Sequence, residues 1–235
     1  MRGSARSSGT PTAVSTESTM HETSFMAMKH LLERLVPRQA QISVLDVGSQ
    51  IAEAGHTSYR DIVESMEAVS YTGLDVAPGR NVDVVATDAY KFPLPSDAFD
   101  VVISGQAFEH IEFPWLTMLE IARVLKPGGL SVVIAPSSGQ EHRYPQDCWR
   151  FYPDSMRALA KWAKLDCVAA LTNWPETRLF LWGDTVGVFY KRRSPDEVPQ
   201  LPDLELERLQ SIYRSLLRFS FVDSLRTLRR IRRGG

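Results

Sequence analysis

Ile42-Ser43-Val44-Leu45-Asp46-Val47-Gly48-Ser49-Gln50 is the stretch whose reading decides the fold. Strand-forming apolar residues run into an acid, and a glycine follows two positions later. In an open α/β sheet, ligands sit in the crevice beyond the carboxyl ends of the strands. A strand that stops at Asp-x-Gly therefore reads as the first strand of a nucleotide-type site. The glycine permits a sharp turn and close backbone approach, and the acid accepts hydrogen bonds from an ammonium, a hydroxyl or backbone N–H groups.

Working outward, the same design recurs. Residues 69–75 form a second strand that ends on Asp75, and residues 82–87 a third that ends on Asp88. Residues 100–104 form a fourth with Gly105 at its tip, and residues 130–135 a fifth, preceded by a turn at Lys126-Pro127-Gly128-Gly129. Apolar spacing predicts helices over 22–35, from Tyr59 to Met66, over 114–125, and over 156–163 with Asp154 or Ser155 as its cap. Residues 167–171 and 183–190 supply two last strands, joined by an irregular connection around Pro175 and expected as an antiparallel pair at one edge. The expected fold is α/β: a doubly wound, mostly parallel seven-stranded sheet with a helical C-terminal extension.

The predicted organisation is a disordered tail over 1–20, a domain over 21–190, a charged linker over 191–203 and an amphipathic basic helix over 204–235. The tail has no apolar core, so it is not read as a signal peptide. At 235 residues and a net charge of −1, the chain can build a full core and offers no bulk electrostatic case for nucleic acid. Two cysteines, Cys148 and Cys167, lie far apart and suit a reducing cytoplasm. No apolar run is long enough to span a bilayer. The final helix has three readings: docking on its own domain or on a second copy of the chain, then a peripheral membrane contact, and last nucleic-acid binding through the local basic cluster.

The order of Val44-Leu45-Asp46-Val47-Gly48-Ser49, Gly73-Leu74-Asp75, Ala86-Thr87-Asp88-Ala89, Phe92-Pro93-Leu94-Pro95, Phe99-Asp100-Val101-Val102, Glu109-His110-Ile111 and Arg123-Val124-Leu125-Lys126-Pro127-Gly128-Gly129 resembles the class I S-adenosylmethionine-dependent methyltransferases of the small-molecule type, similar to methyltransferase type 11. The resemblance covers residues 42–190 and implies S-adenosylmethionine as cofactor. It implies that Asp46 and Gly48, with Ser49 beside them, line the methionine end, that Asp75 holds the ribose hydroxyls, and that Val76 packs on the adenine. Asp88 and the Ala89 N–H would bind the adenine edge, and Gly105 and Gln106 would border the sulfonium. Gln50 stands where the family usually has a second glycine, and the long gap to Asp75 implies an insertion near 49–57. An NAD-binding reading needs G-x-G-x-x-G after the strand, and Gly48-Ser49-Gln50-Ile51-Ala52-Glu53 does not supply it.

The acceptor side falls on the loop after the fifth strand, residues 141–152, dense in polar and aromatic groups. Methyl transfer to oxygen needs alignment and a base. The base candidates are His142, Asp147 and His110, and Arg143, Tyr144, Trp149 and Arg150 are candidates for holding the acceptor. Glu109, His142 and Asp147 have divalent-ligand chemistry but no ligand spacing, so no metal is expected. The expectation is O-methylation of a polar small molecule or saccharide. The alternative is a non-catalytic protein of the same fold that serves as a partner subunit.

Overall fold

A computed structural model describes residues 18–36, 41–51, 58–172, 183–199, 201–209 and 211. The N-terminal tail through residue 17, most of the expected insertion (52–57), the connection around Pro175 and nearly all of the basic helix lie outside the described residues.

Seven strands form one sheet: β1 (Ile42–Val47), β2 (Val69–Asp75), β3 (Val84–Val85), β4 (Phe99–Gly105), β5 (Leu125–Ser138), β6 (Asp166–Thr172) and β7 (Gly183–Tyr190). Their order is β3-β2-β1-β4-β5-β7-β6. Pairing is parallel from β3 to β5, and β7 enters antiparallel to both β5 and β6. The connections run outward from β1 to β2 and β3 on one side and to β4 and β5 on the other, so β1 and β4 flank the switch point where a ligand crevice forms.

The sheet is covered on both faces, which is why its strands read as nearly continuous apolar runs. Val44, Val101, Ile103, Val132, Ile134, Val186 and Val188 pack beneath the helices α1 (Ser18–Leu35) and α2 (Tyr59–Glu64). Their neighbours Leu45, Val102, Val133, Ala135 and Phe189 point the other way, into α3 (Pro114–Val124) and α4 (Pro153–Ala163). The period of two sorts each strand between the two cores.

Three boundaries differ from expectation. The third strand is only two residues long, because its single ladder ends where Asp83 turns its carboxylate to the Gly73 N–H. The Lys-Pro-Gly-Gly turn is absorbed into β5, which starts at Leu125 and continues past it with a register shift and Gly128 at φ +86°. Helix α4 starts at Pro153; Ser155 Oγ accepts from the Tyr152 N–H and so stabilises the start from inside the first turn.

Candidate active site

The carboxyl ends of β1, β2 and β4 open into one cavity of about 870 Å³, within the range of small-molecule sites. On its sheet side, Gly48 takes φ +78°, and a Cβ there would stand 2.3 Å from the Ala107 Cβ. The loops after β1 and β4 therefore touch at a point that admits only glycine. Gly105 is closed in the same way, since its added Cβ would meet the Tyr59 hydroxyl at 2.1 Å.

Asp46 is buried beneath this turn. Its Oδ2 accepts from the Tyr71 hydroxyl at 2.5 Å, Asn81 Nδ2 donates to the same hydroxyl at 2.9 Å, and Arg60 lies over the Tyr71 ring. Oδ1 is buried with no partner among the described residues. Burial pushes the carboxyl up to about 7, against the lowering effect of the Tyr71 hydrogen bond. A buried acceptor left open beside a cavity is suited to a cationic or N–H donor on a ligand.

Asp75 accepts the Gln50 N–H on one oxygen and the Val76 N–H on the other. Each oxygen keeps a lone pair, so the carboxylate is held in place with capacity for two hydroxyls. Val76 is 51% exposed and lines the cavity, an apolar surface without a cover. Ser49, Ala89 and Gln106 also line it. Asp88 does not: it is exposed at the rim and accepts from the Tyr90 N–H. Gln50, in the place of a second glycine, lies against Gly79, where an added Cβ would stand 2.3 Å from its Nε2.

The other end of the cavity is built by the loop after β5, tied to a 3-10 turn at Phe108–His110. The Cys148 N–H donates to Glu109 O, Gln146 Nε2 donates to His110 O, and Trp149 Nε1 donates to Glu112 O. These bonds bring Glu109, His110 and His142 together. His110 Nε2 is 3.6 Å and His142 Nε2 3.9 Å from Glu109 Oε1, and the two rings meet edge-on at 4.9 Å.

Glu109 is fully buried, and neither carboxyl oxygen has a hydrogen-bond partner among the described residues. Burial pushes this acid up to about 8. Burial also lowers His110 below the ordinary imidazole value.

The remaining acceptor-side candidates separate. Arg143 and Tyr144 line the cavity, with Arg143 bound to Glu141. Asp147 stands behind His142, accepting the His142 N–H at 2.8 Å, and the Arg150 hydrogen bonds hold its carboxyl down to about 2. Trp149 packs edge-on against Trp115. Neither Asp147, Trp149 nor Arg150 reaches the cavity lining. Sequence reasoning missed Tyr59, Phe25 and Asp184. The first two roof the cavity. Asp184 is a buried acid on β7 that accepts from Gln106 Nε2 and the Thr23 hydroxyl, and only the polar run Gly183-Asp184-Thr185 in an apolar strand hinted at it.

Residues 47–133 match the family described as a methyltransferase domain. A relative in Mycobacterium avium (strain 104), described as an uncharacterized methyltransferase, is 29% identical over 148 residues, covering 56% of this chain and 54% of its own length. The chain thus spans about half of that relative. Among solved structures, the (4+2)-cyclase SpnF aligns with a TM-score of 0.58 at 18% identity, over 72% of this chain and 81% of its own. A complex between the Haloferax volcanii Trm112 methyltransferase activator and a methyltransferase aligns at 0.55 and 19% identity, over 77% of this chain and 95% of the other. Both likenesses are of fold, and a cyclase among them shows that chemistry must be argued from the site. An open acceptor on Asp46, a glycine-only turn at Gly48 and a carboxylate prepared for two hydroxyls at Asp75 fit S-adenosylmethionine. On sequence, fold and site together, residues 47–133 are similar to a methyltransferase domain, and the sheet order around them is that of the fold shared with the solved structures.

Proposed function

We propose that the chain methylates an oxygen of a polar, hydroxyl-bearing small molecule or saccharide. The observation that carries this reading is the continuity of one cavity from Asp46, Gly48 and Asp75 to Glu109, His110 and His142. A bound S-adenosylmethionine supplies an electrophilic methyl group there. Asp46 would hold the ammonium of its methionine end, Asp75 the ribose hydroxyls, and Val76 the adenine face.

Gly105 and Gln106 lie between the two ends, on the tip of β4. The Gln106 amide is fixed by Asp184 at 3.0 Å, so the wall beside the transferring group is rigid. The acceptor's hydroxyl would sit against the histidines, with the Tyr144 ring on the open side and Arg143 at the rim. Methyl transfer is an in-line displacement, so alignment of the two reactants supplies most of the acceleration. The proton of the hydroxyl passes to the imidazole–carboxylate cluster. His142 is oriented for this from behind, its Nδ1 standing 3.5 Å from Asp147 Oδ2.

Calorimetric titration with S-adenosylhomocysteine tests the cofactor half. Micromolar binding by the wild type, weakened at least tenfold in Asp75→Ala, is the expected result and licenses a screen of saccharide and phenolic acceptors. Absence of binding by the wild type would transfer the case to the non-catalytic partner subunit. If His142→Ala and Asp147→Ala both left turnover unchanged on an acceptor found in that screen, the assignment of the acceptor end would fall.

A further inference from the structure

Glu109, His110 and His142 each offer one ligand-type atom, and these atoms lie within 4.8 Å of one another. Two further facts make the cluster more than a polar corner. The first is second-sphere orientation. His110 Nδ1 donates to the Gln146 carbonyl at 2.6 Å, which places its remaining lone pair on Nε2, facing Glu109. His142 Nδ1 stands beside Asp147 Oδ2 at 3.5 Å and Gln140 O at 3.4 Å, and its Nε2 also faces Glu109. A histidine whose other nitrogen is held by a carbonyl or carboxylate is the usual arrangement of a metal-ligating histidine.

The second fact is Glu109 itself. Its side chain is 0% exposed and both oxygens lack a hydrogen-bond partner among the described residues. A buried carboxyl in that state costs free energy unless something at the site satisfies it.

Distances select the ion. Ligands about 2.0–2.1 Å from a tetrahedral zinc stand roughly 3.4 Å apart. The Glu109–His110 and Glu109–His142 separations are 3.6 and 3.9 Å, a few tenths of an ångström beyond that spacing, and the two imidazole nitrogens lie within 4.8 Å of each other, so an inward swing of the rings closes the third edge. Six-coordinate magnesium, with near-ideal geometry and a preference for oxygen, fits two imidazoles poorly. We infer that Glu109, His110 and His142 bind one first-row divalent transition-metal ion of the zinc class, with the fourth position open to the cavity. Resting on the methyl-transfer reading, the metal's use is to take the acceptor's hydroxyl as fourth ligand. That would lower the hydroxyl's pKa, so its proton would leave to water in the open cavity while the histidines serve as ligands in place of direct proton removal.

Zinc chloride titrated calorimetrically into chelator-treated full-length protein tests this without turnover. The expected result is one zinc per chain at micromolar affinity or tighter, with cobalt(II) in its place giving the intense visible bands of a four-coordinate ion. Glu109→Gln and His142→Asn should each weaken zinc at least tenfold while S-adenosylhomocysteine still binds. His110→Asn gives a third variant, nearer the surface, should the buried Glu109→Gln fail to fold. No zinc binding by the wild type would overturn the inference, as would binding that survives unchanged in the folded variants, or cobalt bands of six-coordinate weakness. Zinc bound without S-adenosylhomocysteine would sink the methyl-transfer reading alone, and the reverse result would sink only the metal.

Discussion

Asp46 shows how much a single residue's setting can say. The folded chain keeps a proton on this buried carboxyl up to about pH 7, whereas the unfolded chain releases it near the ordinary aspartate value of 3.8. Folding therefore takes up a proton between those values, and stability falls as pH rises from about 4 to about 7, then levels off. Asp46→Asn removes the penalty while leaving an oxygen for the Tyr71 hydroxyl. The variant should match wild type near pH 4 and exceed it at pH 8 by roughly 1 kcal/mol or more, read from urea unfolding at both values. A wild-type advantage at pH 8 would show that the carboxylate is ionised and satisfied in the fold. The Asp-x-Gly pattern located this acid in the sequence. Its unpartnered Oδ1 is a property of neighbours brought from β2 and α2, which no local pattern carries.

Elements were legible where one period dominated. The apolar runs of β1 and β4 and the helical spacing of α3 specify their ends to within a residue or two, because the strands are buried on both faces and the helix on one. The short β3 was overread, since its apolar residues 82–87 serve mostly as a loop anchored by Asp83 and Asn81. The candidates for the cofactor end are readable from the sequence because they sit within a few residues of each strand tip. At the acceptor end the sequence offers His142, Asp147, His110 and Glu109 as candidates but not which of them meet, because Glu109 and His142 are joined by a loop whose path depends on the Cys148–Glu109 and Gln146–His110 bonds. The contact between the turns after β1 and β4 is testable at this scale. Gly48→Ala forces a side chain into a left-handed backbone and against Ala107. It should cost at least about 1 kcal/mol from the backbone alone and abolish S-adenosylhomocysteine binding. A variant with wild-type affinity and an unchanged denaturation midpoint would show that the two turns can part.

Across the whole molecule, the segment predicted as a linker is bound to the domain. Lys191 pairs with Asp97 and Arg192 with Asp166, and Leu204 and Leu209 are buried in the same core as α1. His30 and Arg34 of α1 reach the backbone oxygens of Leu204 and Asp203. Nearly all of the length of the expected C-terminal helix lies outside the described residues. Leu209→Ala should lower unfolding free energy by about 2–4 kcal/mol, the usual cost of a leucine-sized cavity. A change under half a kcal/mol in chemical denaturation would mean that the segment merely rests on the surface. The antiparallel seat of β7 has a consequence for how the chain is made. All eight of its residues are buried between β5 and β6. During synthesis, β5 must wait as a bare apolar edge until residues 183–190 leave the ribosome, so the nascent chain passes through an interval in which its exposed ladder can pair with a neighbour instead of with itself.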